Sequence, residues 1–104
     1  MESPNKNIEK ALDLPPDRVV KEIVQKKDVA KSRFEKGVDK DYHKVRDNLF
    51  DLLDSSKDAI EGIMSVAMAG DQPRAYEVIA QLLKVSSDIN KDIMEIHRKM
   101  KETS

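Results

Sequence analysis

Two long stretches of the chain carry apolar residues at alternating three- and four-residue spacing. In residues 39–69 these positions are Tyr42, Val45, Leu49, Leu52, Ser56, Ala59, Ile63 and Val66. In residues 73–102 they are Ala75, Ile79, Leu82, Ser86, Ile89, Ile93, Ile96 and Met100. This heptad spacing predicts one long helix in each stretch, with the apolar seam facing a partner helix.

The segment GDQP at residues 70–73 separates the two predicted helices. Gly70 suits the left-handed conformation that ends many helices, and Asp71 suits the cap of the next helix. Pro73 suits its first turn. Because so short a connection forces neighbouring helices to pack antiparallel, we expect an all-α fold built on a long, coiled-coil-like helical hairpin over residues 39–104.

Residues 1–38 give a weaker pattern. An amphipathic piece lies between Ile8 and Leu14, and one turn or two of isolated helix is marginal in water. Residues 16–37 have helix-boundary signals, but Lys27 and Lys31 interrupt their apolar stripe. We therefore expect an N-terminal arm, mobile or holding a short helix. The alternative is that residues 16–37 fold back as a third helix and complete a monomeric three-helix bundle.

The predicted hairpin leaves apolar residues on a second face without cover: Leu53, Ile60, Tyr76, Leu83, Val78 and Val85. A two-helix unit with such a face is expected to associate, and a ring or bundle of copies is the economical solution. The predicted oligomer interface comprises Leu49, Leu53, Ile60, Ile63, Tyr76, Val78, Ile79, Leu83, Val85, Ile89 and Ile93.

Composition narrows the class of protein. The chain has 104 residues, 38% of them charged, and a formal net charge of -1. This is typical of one helical domain and argues against a protein that coats nucleic acid generally. Cysteine is absent, no apolar run approaches the roughly 18 residues of a membrane span, and no apolar leader is evident. We expect a soluble intracellular protein.

No catalytic motif is recognisable in the sequence, and we expect no catalytic residue, cofactor or metal. The three glycines are scattered and form no phosphate-binding loop. His43 and His97 fall on different helices near the open end of the predicted hairpin, where a shared metal is conceivable, but surface histidines are the favoured interpretation. An all-α enzyme is a minor alternative.

Charge is distributed unevenly along the chain. Residues 39–70 carry seven acidic and four basic residues, which indicates a solvated helix face. Residues 21–37 carry six basic and three acidic residues. A solvated helix explains this on one chain, but repeated around an oligomer it predicts multivalent contact with phosphates. The candidate nucleic-acid residues are Lys21, Lys26, Lys27, Lys31, Arg33 and Lys36.

Three stretches resemble the small terminase subunit of contractile-tailed bacteriophages, a DNA-packaging protein. They are DYHKVRDNLFDLL at 41–53, QPRAYEVIAQLLK at 72–84 and INKDIMEIHRKMK at 89–101. The run Pro-Arg-Ala-Tyr-Glu-Val after the turn is the most distinctive. The resemblance covers roughly residues 41–102, whereas LDLPPD near the N-terminus is only loosely similar.

The resemblance implies a role without chemistry of its own. It implies hairpins that associate side by side into a ring of roughly eleven or twelve copies. It also implies that the ring helps select concatemeric double-stranded viral DNA and regulates the ATPase and nuclease of the large terminase subunit, in the host cell cytoplasm. A helical adaptor that binds a helix of another protein is the alternative function.

Overall fold

The described parts of the chain are almost entirely helical. The computed structural model describes residues 16–37, 41–70 and 72–103, and places helix α1 at Pro16–Glu35, α2 at Tyr42–Gly70 and α3 at Pro73–Thr103. The all-α prediction is confirmed for these residues. The expectations for residues 1–15 and for Asp71 lie outside the described residues.

The start of each long helix follows a local signal. The carboxylate of Asp41 accepts a hydrogen bond from the backbone N–H of Lys44 at 3.2 Å, which caps α2. Pro73 opens α3, where a missing N–H leaves no helical hydrogen bond unmade. Behind it, the carbonyl of Gln72 accepts from the N–H of Ala75 at 3.0 Å.

The two glycines at helix ends behave differently. Gly37 lies just past α1 with a φ of 70°, and its N–H donates to the carbonyl of Phe34 at 3.1 Å. Its lack of a Cβ makes this left-handed conformation accessible. Gly70 is the last residue of α2 and does not have a positive φ, so the prediction of a left-handed Gly70 is wrong. The helix simply continues to the short connection.

Helices α2 and α3 pack antiparallel along their length and supply most of the core. Their fully buried side chains include Leu49, Val78, Leu82, Ile89 and Ile96. Burial of such a side chain stabilises the fold by about 1.5–3 kcal/mol relative to exposure. Most of the predicted seam is therefore buried, although Val66 remains exposed at the connection end of α2.

Two serines meet in the middle of this seam. The hydroxyls of Ser56 and Ser86 lie 2.7 Å apart, and the carbonyl oxygen of Leu82 lies 3.3 Å from the hydroxyl of Ser56 and 2.9 Å from that of Ser86. Because each hydroxyl carries one hydrogen, one serine donates to the other, which donates to the carbonyl. Ser56 is fully buried, so these bonds satisfy a polar group that would be costly to bury alone. Because a polar pair matches only when the two positions are opposite, it also favours this register of α2 against α3.

Helix α1 packs against both other helices. Val19 and Ile23 enter the core, and the ring of Phe34 contacts that of Tyr42 edge-on at 5.4 Å. Arg74 at the start of α3 donates a hydrogen bond to Asp17 at the start of α1, so α1 and α3 run in the same direction. The result is an up-down-up bundle of three helices, the fold-back arrangement that the sequence left open for residues 16–37.

Candidate assembly and nucleic-acid interfaces

A buried carboxylate on α3 joins α1 to the rest of the bundle. Asp92 is 6% exposed, and its two oxygens lie 3.5 Å from the ammonium groups of Lys27 and Lys31. Lys27 also pairs with Asp28 at 3.2 Å. Burial lowers the pKa of Lys27, but hydrogen bonding and charge from Asp28 and Asp92 outweigh it and raise that pKa above its ordinary value.

This geometry separates the six candidate nucleic-acid residues into two groups. Lys27 and Lys31 face Asp92 and hold α1 against α3. The other four residues are exposed along α1 and just after it: Lys21, Lys26, Arg33 and Lys36. Lys26 pairs loosely with Glu22, at 3.7 Å one helical turn away. This second group lies outside the contact with Asp92.

The predicted interface residues separate in a similar way. Eight are buried inside the single chain: Leu49, Leu53, Ile63, Val78, Ile79, Val85, Ile89 and Ile93. Ile60 is partly buried, whereas Tyr76 and Leu83 are exposed. The expectation that Leu53, Val78 and Val85 lack cover within the chain is wrong. Their helical positions point into the three-helix core, which α1 completes.

A row of exposed apolar side chains runs along the α2–α3 pair. We call it the outer stripe and define it as Phe50, Met68, Tyr76, Leu83 and Met94. Phe50 and Met68 are 18 residues apart, as are Tyr76 and Met94, which is five helical turns of about 3.6 residues, so each pair points to one side of its helix.

The two halves of the outer stripe lie on the same side of the bundle. The ring of Phe50 is 6.4 Å from that of His97, which follows Met94 by one turn on α3. Asp92 faces α1, and Met94, two residues later, points about 200° away around the helix. The outer stripe is therefore on the face that α1 does not cover.

A second apolar surface lies between α1 and α2. This groove has a volume of about 410 Å³ and an apolar lining from Val29, Ala30, Val45 and Leu52. Its polar residues are Lys26, Arg33, Asn48, Asp51 and Ser55. Val29 is 59% exposed, although it belongs to a helix whose other apolar residues turn mostly inward. We call this surface the α1–α2 groove.

Comparison with known protein families identifies the family to which the chain belongs. Residues 7–104 match the family model described as terminase DNA packaging enzyme. The chain belongs to this family. The match supports the resemblance to small terminase subunits and a role in DNA packaging. Comparisons with curated proteins and with solved structures found no match.

The terminase chain shows no candidate metal centre in its described ranges. Across residues 16–37, 41–70 and 72–103, no three His, Cys, Asp or Glu side chains come together as metal ligands. His43 and His97 are both exposed, and His97 contacts Phe50. In the same ranges, no helix combines the length and apolar character needed to cross a membrane.

Three structural residues of the terminase chain escaped the sequence analysis. Asp92 resembles any solvent-side acid of a charged helix, and Arg74 and Asp17 are 57 residues apart. One local pattern did indicate a buried charge: Asp92 lies next to Ile93 and one turn after Ile89, on an otherwise apolar side of α3. A charge in that position needs a buried partner.

Proposed function

We propose that this terminase chain is a non-catalytic small subunit that assembles with copies of itself into a ring. The observation that carries the proposal is the outer stripe, because its five large apolar side chains remain exposed on a folded three-helix chain. Several large apolar side chains exposed on one face mark a candidate interaction site. A closed ring lets every copy cover it equally, and the resemblance to phage subunits suggests roughly eleven or twelve copies.

The ring would act on viral DNA and on the large terminase subunit, in the cytoplasm of a host infected by a contractile-tailed phage. The family match supports a place in DNA packaging. Outward-facing Lys21 and Lys36 supply weak phosphate contacts, and repetition around a ring turns weak contacts into useful avidity. Lys26 and Arg33 line the α1–α2 groove and are assigned to that groove instead. Lys27 and Lys31 are left out of this set because they contact Asp92.

A reconstitution with the large subunit tests the proposed role. The purified chain alone should hydrolyse no ATP and cut no DNA, but it should raise the ATPase rate of the large subunit and change its DNA cleavage. A variant that does not assemble should lose this stimulation. Hydrolysis by the chain alone, or a large subunit indifferent to it, would contradict the proposal.

The same outer stripe supports a second function, that of an adaptor binding an amphipathic helix of another protein. Helices dock in this way by placing apolar residues at successive turns against an apolar surface. The two functions differ in the state of the isolated chain. An adaptor would remain a monomer or dimer until its partner is added, whereas a ring subunit assembles alone.

A further inference from the structure

Each copy of the chain carries two unlike apolar surfaces. Pairing stripe with stripe would join two copies and leave the α1–α2 groove of each one uncovered. Packing a stripe into a groove would bring both surfaces of every copy into contact with a neighbour, and such head-to-tail contacts make rings when the rotation closes. We propose that the outer stripe of one copy docks into the α1–α2 groove of the next. This rests on the self-assembly proposed above and specifies its contact.

The apolar lining of the groove and the apolar side chains of the outer stripe match in character. Leu83, 57% exposed, stands in the middle of the outer stripe. Val29 lies on the α1 wall of the groove, and Val45 and Leu52 line it from α2. The groove volume of about 410 Å³ falls within the roughly 300–1,000 Å³ of sites that bury a ligand. The groove can therefore receive apolar side chains from the stripe.

The walls of the groove carry opposite charges. On the α1 wall, Lys26 and Arg33 lie one turn before and one turn after Val29. On the α2 wall, the carboxylate of Asp51 lies beside Asn48 and Ser55. Across the groove the order is therefore basic, apolar, acidic. An occupant that fits should present acidic groups to α1 and basic groups to α2.

The outer stripe carries the complementary order. Its α2 flank holds exposed acidic residues at seven-residue spacing: Asp47, Asp54 and Glu61. Its α3 flank holds exposed basic residues at the same spacing: Lys84, Lys91 and Arg98. Seven residues are nearly two helical turns, so each set keeps to one side of its helix. Lys57 is the basic exception on the α2 flank, and Glu77, seven residues before Lys84, is the acidic exception on the α3 flank.

Charge therefore selects the direction of docking. With the α2 flank of one copy against the α1 wall of the next, Asp54 and Glu61 approach Lys26 and Arg33, and the basic α3 flank approaches Asp51. The reverse orientation opposes like charges on both sides, which disfavours it. With this single orientation, every copy makes the same two contacts, one through its outer stripe and one through its groove.

The absence of native cysteine makes the contact directly testable by cross-linking. Val29→Cys is co-expressed with Tyr76→Cys, Leu83→Cys or Met94→Cys, and the assemblies are treated with a short bis-maleimide. The matched control is Gln81→Cys, which is exposed on α3 but points about 200° away from Leu83. We expect cross-linked pairs only in mixtures that contain Val29→Cys and a stripe cysteine.

Each outcome decides the proposal. A double variant of Val29→Cys with the reactive stripe cysteine should give a ladder of linked chains. Cross-links formed by Leu83→Cys alone would show stripe-to-stripe pairing and overturn the proposal, as would an assembled protein that gives no mixed cross-link. A wild-type chain that stays monomeric refutes the proposed self-assembly itself, a result distinct from assembly through other surfaces.

Charge reversal supplies an independent test. Lys26→Glu with Arg33→Glu should weaken assembly about tenfold or more, because two attractive pairs become repulsive. Adding Asp54→Lys and Glu61→Lys to the same chain should restore it, since every copy then carries the exchanged pairs. Weakened assembly that the second pair fails to restore would assign the loss to another cause and contradict the docking direction.

Discussion

Replacing Asp92 with Asn removes the charge that two lysines of α1 approach. At 3.5 Å and an effective dielectric constant of about 20, each pair contributes roughly 4–5 kcal/mol of attraction. Desolvation of Asp92 offsets much of this, and loss of one partner from a fully buried pair costs about 3–5 kcal/mol. Here Lys27 keeps Asp28, and the side chain of Lys31 is 41% exposed. We therefore expect a loss of about 1–3 kcal/mol.

Urea denaturation followed by far-UV circular dichroism measures this loss as a change in the free energy of unfolding. All variants need the same chain concentration, because self-association adds to the apparent stability. Glu35→Gln is the matched control, since it removes an exposed carboxylate that lies outside both the outer stripe and the α1–α2 groove and should change stability by about 0.5 kcal/mol or less. Lys27→Met completes a double-mutant cycle, with an expected coupling of about 0.5–3 kcal/mol.

The same variant has a local signature. If Asp92 holds α1 on the bundle, amide hydrogens of α1 should exchange faster in Asp92→Asn, while those in the middle of α2 and α3 change little. Unchanged stability, no coupling to Lys27 or unchanged exchange in α1 would refute the reasoning. The fold-back of α1 would then depend on apolar contacts such as those of Val19 and Ile23.

Three further predictions separate assembly, DNA contact and ionisation. Leu83→Asp should reduce the native mass with little loss of monomer stability, because Leu83 is exposed. Leu82→Ala, by contrast, should cost about 2–5 kcal/mol of stability because it leaves a cavity in the core. A Leu83→Asp variant of unaltered native mass would contradict the proposed assembly surface. Lys21→Glu with Lys36→Glu should weaken DNA binding and flatten its salt dependence while the native mass stays the same, and unchanged affinity at low salt removes α1 from the DNA contact. The raised pKa of Lys27 implies stability that is complete below the ordinary value of 10.5 and lost as pH rises through the higher folded value; an alkaline loss of equal size in Lys27→Met would contradict this.

The two long helices could be predicted from sequence because their signals are local. The predicted ranges 39–69 and 73–102 differ by only a few residues from α2 at Tyr42–Gly70 and α3 at Pro73–Thr103. Repeated apolar spacing and Pro73 fixed the start of α3. The serines within the seam were also placed correctly, although the hydrogen bonds that join Ser56 to Ser86 could not be seen from spacing alone.

The sequence left the position of α1 open because its decisive contacts are not local. Lys27 and Lys31 interrupt an apolar stripe and look like solvent-facing charges. Their partner, Asp92, is more than 60 residues away and looks equally ordinary in its own helix. Only the folded bundle brings these three charged side chains together, as two salt bridges that link α1 to α3. Because Lys27 and Lys31 contact Asp92, fewer residues remain as candidates for contact with DNA.

The sequence predicted that an apolar face would remain exposed, but it did not identify all the residues of that face correctly. Val78 and Val85 lie outside the α2–α3 seam yet face α1, so a third helix covers residues that two helices would expose. Tyr76 and Leu83 remain exposed as the sequence suggested, and Phe50 and Met68 extend their row across α2. Val29 could not be identified from sequence as a groove residue, because the other wall of the groove belongs to a different helix.

The central claim is that the folded three-helix chain assembles through surfaces it leaves exposed. The native mass of the purified chain, measured by native mass spectrometry or light scattering behind gel filtration, tests it most directly. One chain has a mass of 11.8 kDa. We expect one discrete assembly of about 130–140 kDa, the mass of a closed ring of eleven or twelve chains. A mass of one or two chains at every concentration tested would contradict it and favour the adaptor function.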